Sequence, residues 1–279
     1  MKRSDHTQNK DAFTPQLGKV NSMSHAYING YQMHYEDCGK GIAIVFIHPP
    51  VLTSITFQYQ MKLSADFRIV SFDIRGHGQS GPSKEEITYP LIARDIRQLM
   101  DHLQIEKAFL CGYSTGGAVV LDFLLNCPDR ALGGIVIGGM SEVNDKKLRN
   151  KISGGRFLSR IGAVGLVALS TAWGQANPKL SLFRSLFNDA KKANAKNAEQ
   201  YYQYSLHYNC TAQLSNILQP VLLVYGEKDT MFHPYAKLLK ERLPKSELVF
   251  IKNTKHQIPT KAPGFLNELI KQFIHHYGY

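Results

Sequence analysis

Gly112-Tyr113-Ser114-Thr115-Gly116 fits the pattern G-x-S-x-G. A strand-like apolar run at residues 108–111 leads into it, and a helical apolar stretch at residues 115–126 leads out. A serine placed this way sits on a sharp turn with its hydroxyl lifted clear of the sheet. The flanking glycines permit a turn that a Cβ would block. The helix N-terminus adds free N–H groups and a dipole that favour developing negative charge. This points to nucleophilic attack by Ser114. A serine that only caps a helix is the plainer reading, but it would not need glycine on both sides.

A serine hydroxyl is a weak nucleophile and needs a base. Among the eleven histidines, His256 is the strongest candidate, because it follows an apolar run at residues 248–251 after a short loop and precedes the last helical stretch. That places it at the same sheet edge as Ser114. A surface-loop histidine is the alternative. The base in turn needs a carboxylate to hold its tautomer and stabilise its cation. Asp229, in Tyr225-Gly226-Glu227-Lys228-Asp229, follows the run at residues 221–225 and lies at that edge too. Glu227 competes by type and Glu142 by position, and an ordinary turn aspartate is the reading without chemistry.

These residues can meet only if several strands end at a common edge. Apolar runs at residues 42–47, 67–72, 108–111, 131–137, 221–225 and 248–251 show no polar alternation. Such runs suit strands of a parallel sheet buried on both faces. Residues 25–28 and 31–35 flank Asn29-Gly30, a hairpin signal. Helical spacing recurs at residues 91–103, 235–242 and 265–275, and residues 115–126 are apolar nearly all round, as in a buried helix. The alternation predicts a three-layer α/β domain, its sheet mostly parallel with an N-terminal antiparallel hairpin.

Roughly 80 residues separate the runs ending at Ile137 and opening at Val221, whereas a crossover needs about 10–12. The expected organisation is a polar tail at residues 1–24, a core at 25–140 and 209–279, and a helical lid inserted at 141–208. Helices are expected within it at residues 145–152, 156–170, 180–189 and 193–206. Insertions at the C-terminal edge of such a sheet lie over the ligand crevice. Phe157, Trp173, Phe183 and Phe187 are candidates for an apolar roof, with packing inside the insertion as the alternative. Trp173, Pro50 and Tyr113 are the expected substrate-binding residues.

Composition narrows the class. With 279 residues, 43% hydrophobic and 20% charged, a disordered chain is excluded. Of the formal net charge of +11, residues 141–208 carry +7, from 11 Lys/Arg against 4 Asp/Glu. A basic face can attract anionic partners. No nucleic-acid motif accompanies it, and a solvated charged face is the simpler reading. No run reaches the roughly 18 apolar residues of a membrane span, and the first residues lack the apolar core of a signal peptide. Cys38, Cys111, Cys127 and Cys210 show neither metal-ligand spacing nor a disulfide framework, so a reducing, cytoplasmic setting is expected. Cys111, on a buried strand, reads as inert. Nothing suggests a metal, nucleotide or flavin site, and no cofactor is expected. The expected partner is a small-molecule acyl substrate, acted on by a monomer or homodimer.

Taken with His48 at the end of an early strand and the loop Asp73-Ile74-Arg75-Gly76-His77-Gly78-Gln79-Ser80, these motifs resemble the α/β-hydrolase superfamily. The likeness is to its lid-bearing branch of serine esterases, haloperoxidase-like enzymes and carbon–carbon hydrolases, and it extends from about His25 to His275. It implies the three-layer α/β-hydrolase fold and a triad in the order Ser114, Asp229, His256. It implies that Arg75 and His77 shape the fold and pocket floor rather than react. Serine at the elbow separates the chain from dehalogenases and epoxide hydrolases, which carry aspartate there.

The resemblance also implies an oxyanion hole from the Thr115 N–H and a second N–H just after the early strand. Here the chain departs. Relatives read His-Gly-x, with x as donor; this chain reads His48-Pro49-Pro50-Val51, with Phe57 standing where relatives have an aromatic. Pro50 has no N–H to offer. Loss of such a donor costs on the order of 10²–10³ in rate. Val51 is the expected replacement, with the Thr53 or Ser54 hydroxyl as alternative. The implied activity is hydrolysis of small carboxylic esters or lactones through an acyl-enzyme. A carbon–carbon bond hydrolase with the same triad is a second reading. A ligand receptor or signalling protein with a weak or silent triad, suggested by Pro50, is a third.

Overall fold

A computed structural model of the chain describes residues 21–278. Eight strands form one sheet: β1 (Asn21–Ile28), β2 (Tyr31–Cys38), β3 (Ala43–Ile47), β4 (Arg68–Phe72), β5 (Ala108–Tyr113), β6 (Ala131–Ile137), β7 (Val221–Gly226) and β8 (Ser246–Ile251). Their order is β1-β2-β4-β3-β5-β6-β7-β8. The pairs β1/β2 and β2/β4 are antiparallel and the rest are parallel. Asn29 and Gly30 both take positive φ, 43° and 82°, as a tight hairpin turn between right-twisted strands requires.

The central strands read as unbroken apolar runs because both faces are covered. On β3, Ala43, Val45 and Ile47 join the core formed with α1 (Tyr89–His102), α2 (Thr115–Asn126) and α7 (His233–Arg242). Ile44 and Phe46 point the other way, into the core formed with the short α8 (Ile258–Lys261) and the long α9 (Pro263–Tyr277). With a period of two residues, such a strand has no solvent face on which to place a polar residue.

Between β6 and β7 the chain forms four helices: α3 (Lys146–Arg160), α4 (Val164–Ala176), α5 (Leu180–Ala190) and α6 (Ala195–His207). Two boundaries differ from expectation. Asn21–Ile28 is strand, so the last four residues of the expected polar tail belong to β1, where Asn21, Met23 and Ser24 pair with β2; residues 1–20 lie outside the described residues. The first helix of the insertion also runs straight through Gly154-Gly155, where a break was expected, and stops before Gly162 (φ 79°). Gly155 serves packing, since a Cβ there would lie 2.8 Å from the Tyr202 ring of α6. Gly162 supplies the left-handed conformation that ends a helix. All four cysteines are free and buried. Among the described residues no helix is long and apolar enough to cross a membrane.

Candidate active site

Ser114 occupies the turn between β5 and α2 with φ 55° and ψ −121°, strained for any residue with a Cβ. The turn is possible only because the backbone crowds around glycine. A Cβ on Gly112 would lie 2.1 Å from the Gly116 carbonyl oxygen, and one on Gly116 would lie 2.2 Å from that of Ile47. The Ser114 N–H donates to the Ile137 carbonyl at 2.8 Å, locking the turn to β6.

The structure brings together the three residues the sequence singled out. His256 Nε2 lies 3.0 Å from Ser114 Oγ, and His256 Nδ1 lies 2.7 Å from Asp229 Oδ2. The loops that carry them are interlocked. Gly226, at the end of β7, lets the backbone of Thr254 and Lys255 pass where a Cβ would be 2.4 Å from their carbonyl oxygens. The Lys228 N–H then donates to the Thr254 carbonyl at 2.9 Å. The rival carboxylates are engaged elsewhere: Glu227 accepts from the Asn253 N–H, and Glu142 from Asn144, Asn209 and Thr211.

Three further groups confine the imidazole; Tyr113 was expected to bind substrate, whereas Phe232 and Gly138 had no sequence signal. Phe232 stacks on it, with centroids 4.3 Å apart. The Tyr113 ring lies 5.3 Å away. Gly138 (φ 56°) closes the third side, where a Cβ would be 3.0 Å from His256 Cε1. A buried polar network ties this region to the insertion: Gln175 Nε2 of α4 donates to Tyr113 Oη at 2.9 Å, and Thr260 Oγ1 of α8 donates to Gln175 Oε1 at 2.7 Å. Burial raises the Tyr113 phenol well above its ordinary range, so it is a neutral hydroxyl here.

The other histidines near strand ends are held in the interior. His48 accepts from the Ile74 N–H at Nε2 and donates to the Pro49 carbonyl at Nδ1, and burial lowers its pKa. Burial and the neighbouring His48 push His77 down to about 3. Arg75 is fully buried, with two 2.7 Å hydrogen bonds to Asp95 and the Tyr31 ring beneath its guanidinium. These groups brace the loops rather than face the cavity.

Ser114 and His256 open into a cavity of about 470 Å³. Pro50, Leu52, Tyr113, Thr115, Met140 and Phe232 wall it from the core side, and α3, α4 and Tyr202 of α6 from the other. On α4, Val167, Ser170, Thr171 and Gly174 line it at spacing i, i+3, i+4 and i+7, with Leu166 and Gln175 on the borders of that stripe. Trp173 is off that stripe. It is 55% exposed and packs edge-on against Phe183, so it does not line the cavity as expected of a substrate-binding residue. Phe157, Phe183 and Phe187 also lie outside the lining, and Leu148, Ile152, Leu158 and Leu166 take that place. Lys151 is the one lysine in the wall, which holds no arginine, aspartate or glutamate.

Val51 is fully buried with φ 68°, a costly conformation for a β-branched residue. Its side chain packs with Val164, Val167 and Ala168 of α4, while Pro50 and Leu52 on either side line the cavity. Tyr201 Oη donates to the His48 carbonyl at 3.1 Å and ties this turn to α6. Thr53 and Ser54 are buried, and the Ser54 N–H donates to Asp73. Among the described residues no cluster of three or more metal-ligating side chains occurs.

The sequence pattern of the alpha/beta hydrolase family matches residues 44–269. The chain is 27% identical over 270 residues to the AB hydrolase superfamily protein YisY of Bacillus subtilis, an alignment covering 85% of this chain and 93% of that one. Among solved structures it is similar to an esterase from Thermogutta terrifontis, with a TM-score of 0.79 at 20% identity over 91% of this chain and 98% of that one. It is also similar to the enol-lactonase of Burkholderia xenovorans, with a TM-score of 0.80 at 17% identity over 90% of this chain and 100% of that one.

Proposed function

The chain belongs to the alpha/beta hydrolase family, and we propose that within it the protein is a serine hydrolase of small carboxylic esters or lactones. The observation that carries this reading is the hydrogen-bonded line Asp229–His256–Ser114, 2.7 Å and 3.0 Å long, in the wall of a largely apolar cavity. An esterase and an enol-lactonase among proteins of the same fold support it.

Ser114 Oγ attacks the acyl carbonyl carbon as its proton passes to His256 Nε2. Asp229 holds the imidazole in the tautomer that leaves Nε2 free to accept, then stabilises the imidazolium. The oxyanion accepts from the Thr115 N–H at the start of α2 and from the Val51 N–H, whose left-handed backbone sets it apart from Pro50. His256 returns the proton to the departing alcohol. Water then enters, gives its proton to His256 and cleaves the acyl-enzyme, and that proton restores the Ser114 hydroxyl as the acid leaves. In a lactone the departing alcohol stays attached to the acyl group, so a single hydroxy acid is released. Helices α3–α6 act as a lid that forms half the cavity and keeps bulk water from the reacting carbon.

The test is turnover of p-nitrophenyl acetate and butyrate and of a simple lactone, with Ser114→Ala as control. Hydrolysis abolished by Ser114→Ala supports the reading. Folded protein that leaves these substrates intact but cleaves a dienone acid would replace it with carbon–carbon hydrolysis, and no turnover of any of them would mark the site as silent.

A further inference from the structure

Six of the nine large apolar side chains that stand exposed among the described residues fall in one short segment: Phe157, Ile161, Leu166, Leu169, Trp173 and Leu180, each 45–60% exposed. They mark the outer side of α4 and the ends of α3 and α5 that pack beside it. Helix α4 contains no charged residue. Its inner face buries Val164, Val167, Ala168 and Ala172, and its outer face shows Leu166, Leu169 and Trp173 to solvent. An uncharged helix with large apolar side chains on its outer face is at home only where that face also meets apolar surroundings. Exposed apolar clusters of this kind mark interaction sites.

Charge says what kind of surface fits. Residues 146–188 contain eight Lys/Arg and no Asp or Glu. Of these, Arg156 is paired with Glu199, and Lys179 lies over the Tyr59 ring. Lys146, Lys147, Lys151, Arg160 and Arg184 are exposed and have no ion-pair partner among the described residues. Arg160 directly precedes Ile161 and Lys179 directly precedes Leu180, so cations border the apolar side chains. A second copy of this face would meet cation with cation, with no carboxylate in the segment to answer it. Leu166 and Ser170 are both exposed and part of the cavity wall, so the cavity reaches solvent on this same face. A hydrocarbon layer against α4 would therefore be continuous with the interior.

We propose that the outer face of α3–α5 docks on an anionic lipid surface. Leu166, Leu169 and Trp173 enter the boundary between headgroups and acyl chains, and the bordering Lys and Arg meet the headgroups. This is the arrangement of a helix lying in a membrane interface, with apolar area supplying the binding and basic residues the preference for anionic lipid. It does not depend on the hydrolase reading.

Trp173 is the only tryptophan and reports directly on its own surroundings. The full chain is mixed with vesicles of phosphatidylcholine alone or with about 30% phosphatidylglycerol, and flotation and tryptophan emission are recorded. The expected result is flotation with the anionic vesicles and a shift of emission to shorter wavelength, with binding about tenfold or more weaker on neutral vesicles. The double variant Leu169→Gln/Leu180→Gln, confirmed as folded by circular dichroism, loses about tenfold or more in vesicle binding, while its turnover of p-nitrophenyl acetate without lipid is unchanged. Ser114→Ala floats like the parent chain, which separates docking from catalysis. Absence of flotation and spectral shift on either vesicle overturns the proposal, as does equal binding to both. An emission shift that grows with protein concentration without lipid, together with sedimentation as a dimer, assigns the face to a second copy and overturns it. So does binding to polyglutamate but not to vesicles, which assigns it to an acidic protein.

Discussion

The His256 imidazole lies against the Phe232 ring, with centroids 4.3 Å apart and planes 25° from parallel. Asp229 selects the tautomer, but one hydrogen bond leaves the ring free to rock about it, and Phe232 removes that freedom. Positioning of this kind matters most in the reacting geometry, where small displacements are costly. For Phe232→Ala, kcat on a p-nitrophenyl ester should fall on the order of tenfold or more, with KM little changed. Phe232→Leu, which keeps an apolar wall, should recover part of the loss. Steady-state kinetics on the two variants checks this.

Gly138 confines the same ring from the other side. Its φ of 56° is costly for alanine, and the added Cβ would lie 3.0 Å from His256 Cε1. Gly138→Ala should lose roughly 1–2 kcal/mol of stability through its backbone and should lower kcat further by displacing the imidazole. Urea unfolding and ester turnover measured side by side separate the two effects.

Gln175 ties α4 to the elbow and to α8 through Tyr113 and Thr260. Gln175→Ala leaves both hydroxyls buried with one partner fewer, at a cost of about 1–3 kcal/mol. Because α4 also carries cavity-lining residues, KM for the ester should rise more than kcat falls. Equal losses in both parameters would place the effect at the triad instead.

Asp122, on α2, is buried, and burial raises its carboxyl to about 6 despite the nearby Tyr208 hydroxyl. Its folded value lies above the unfolded one, near 3.8. The folded chain therefore holds the proton more tightly. The group destabilises least below about pH 4, and stability falls as pH rises from there to about 6. Asp122→Asn should remove that decline and raise stability at pH 7.5 by about 1–3 kcal/mol, with a smaller effect at pH 4. Urea unfolding at the two pH values is the measurement.

Much of this architecture is readable along the chain because buried parallel strands are written as unbroken apolar runs. Ser114, Asp229 and His256 could be placed at one edge for that reason, each following a run that ends there. What the chain does not announce are contacts set by packing. Phe232 follows Asp229 by three residues with no periodic signal, and Gln175 is one amide in a helix without charges. Trp173 shows the limit most clearly. Helix α4 carries no charge, so periodicity does not separate its inner face from its outer, and Ser170, Thr171 and Gly174 line the cavity where the tryptophan was expected. Gly154-Gly155 resembles a helix break in sequence, yet Gly155 is there to admit the Tyr202 ring.

The central claim is that His256, held by Asp229, activates Ser114. Covalent labelling by a fluorophosphonate probe, followed over time and located by peptide mass spectrometry, tests it most directly. The account predicts one probe per chain, attached at Ser114, with labelling slowed by a factor on the order of 10³ or more in His256→Ala and slowed to a lesser degree in Asp229→Asn. Labelling of folded His256→Ala at the parent rate, or attachment at another residue, would contradict it.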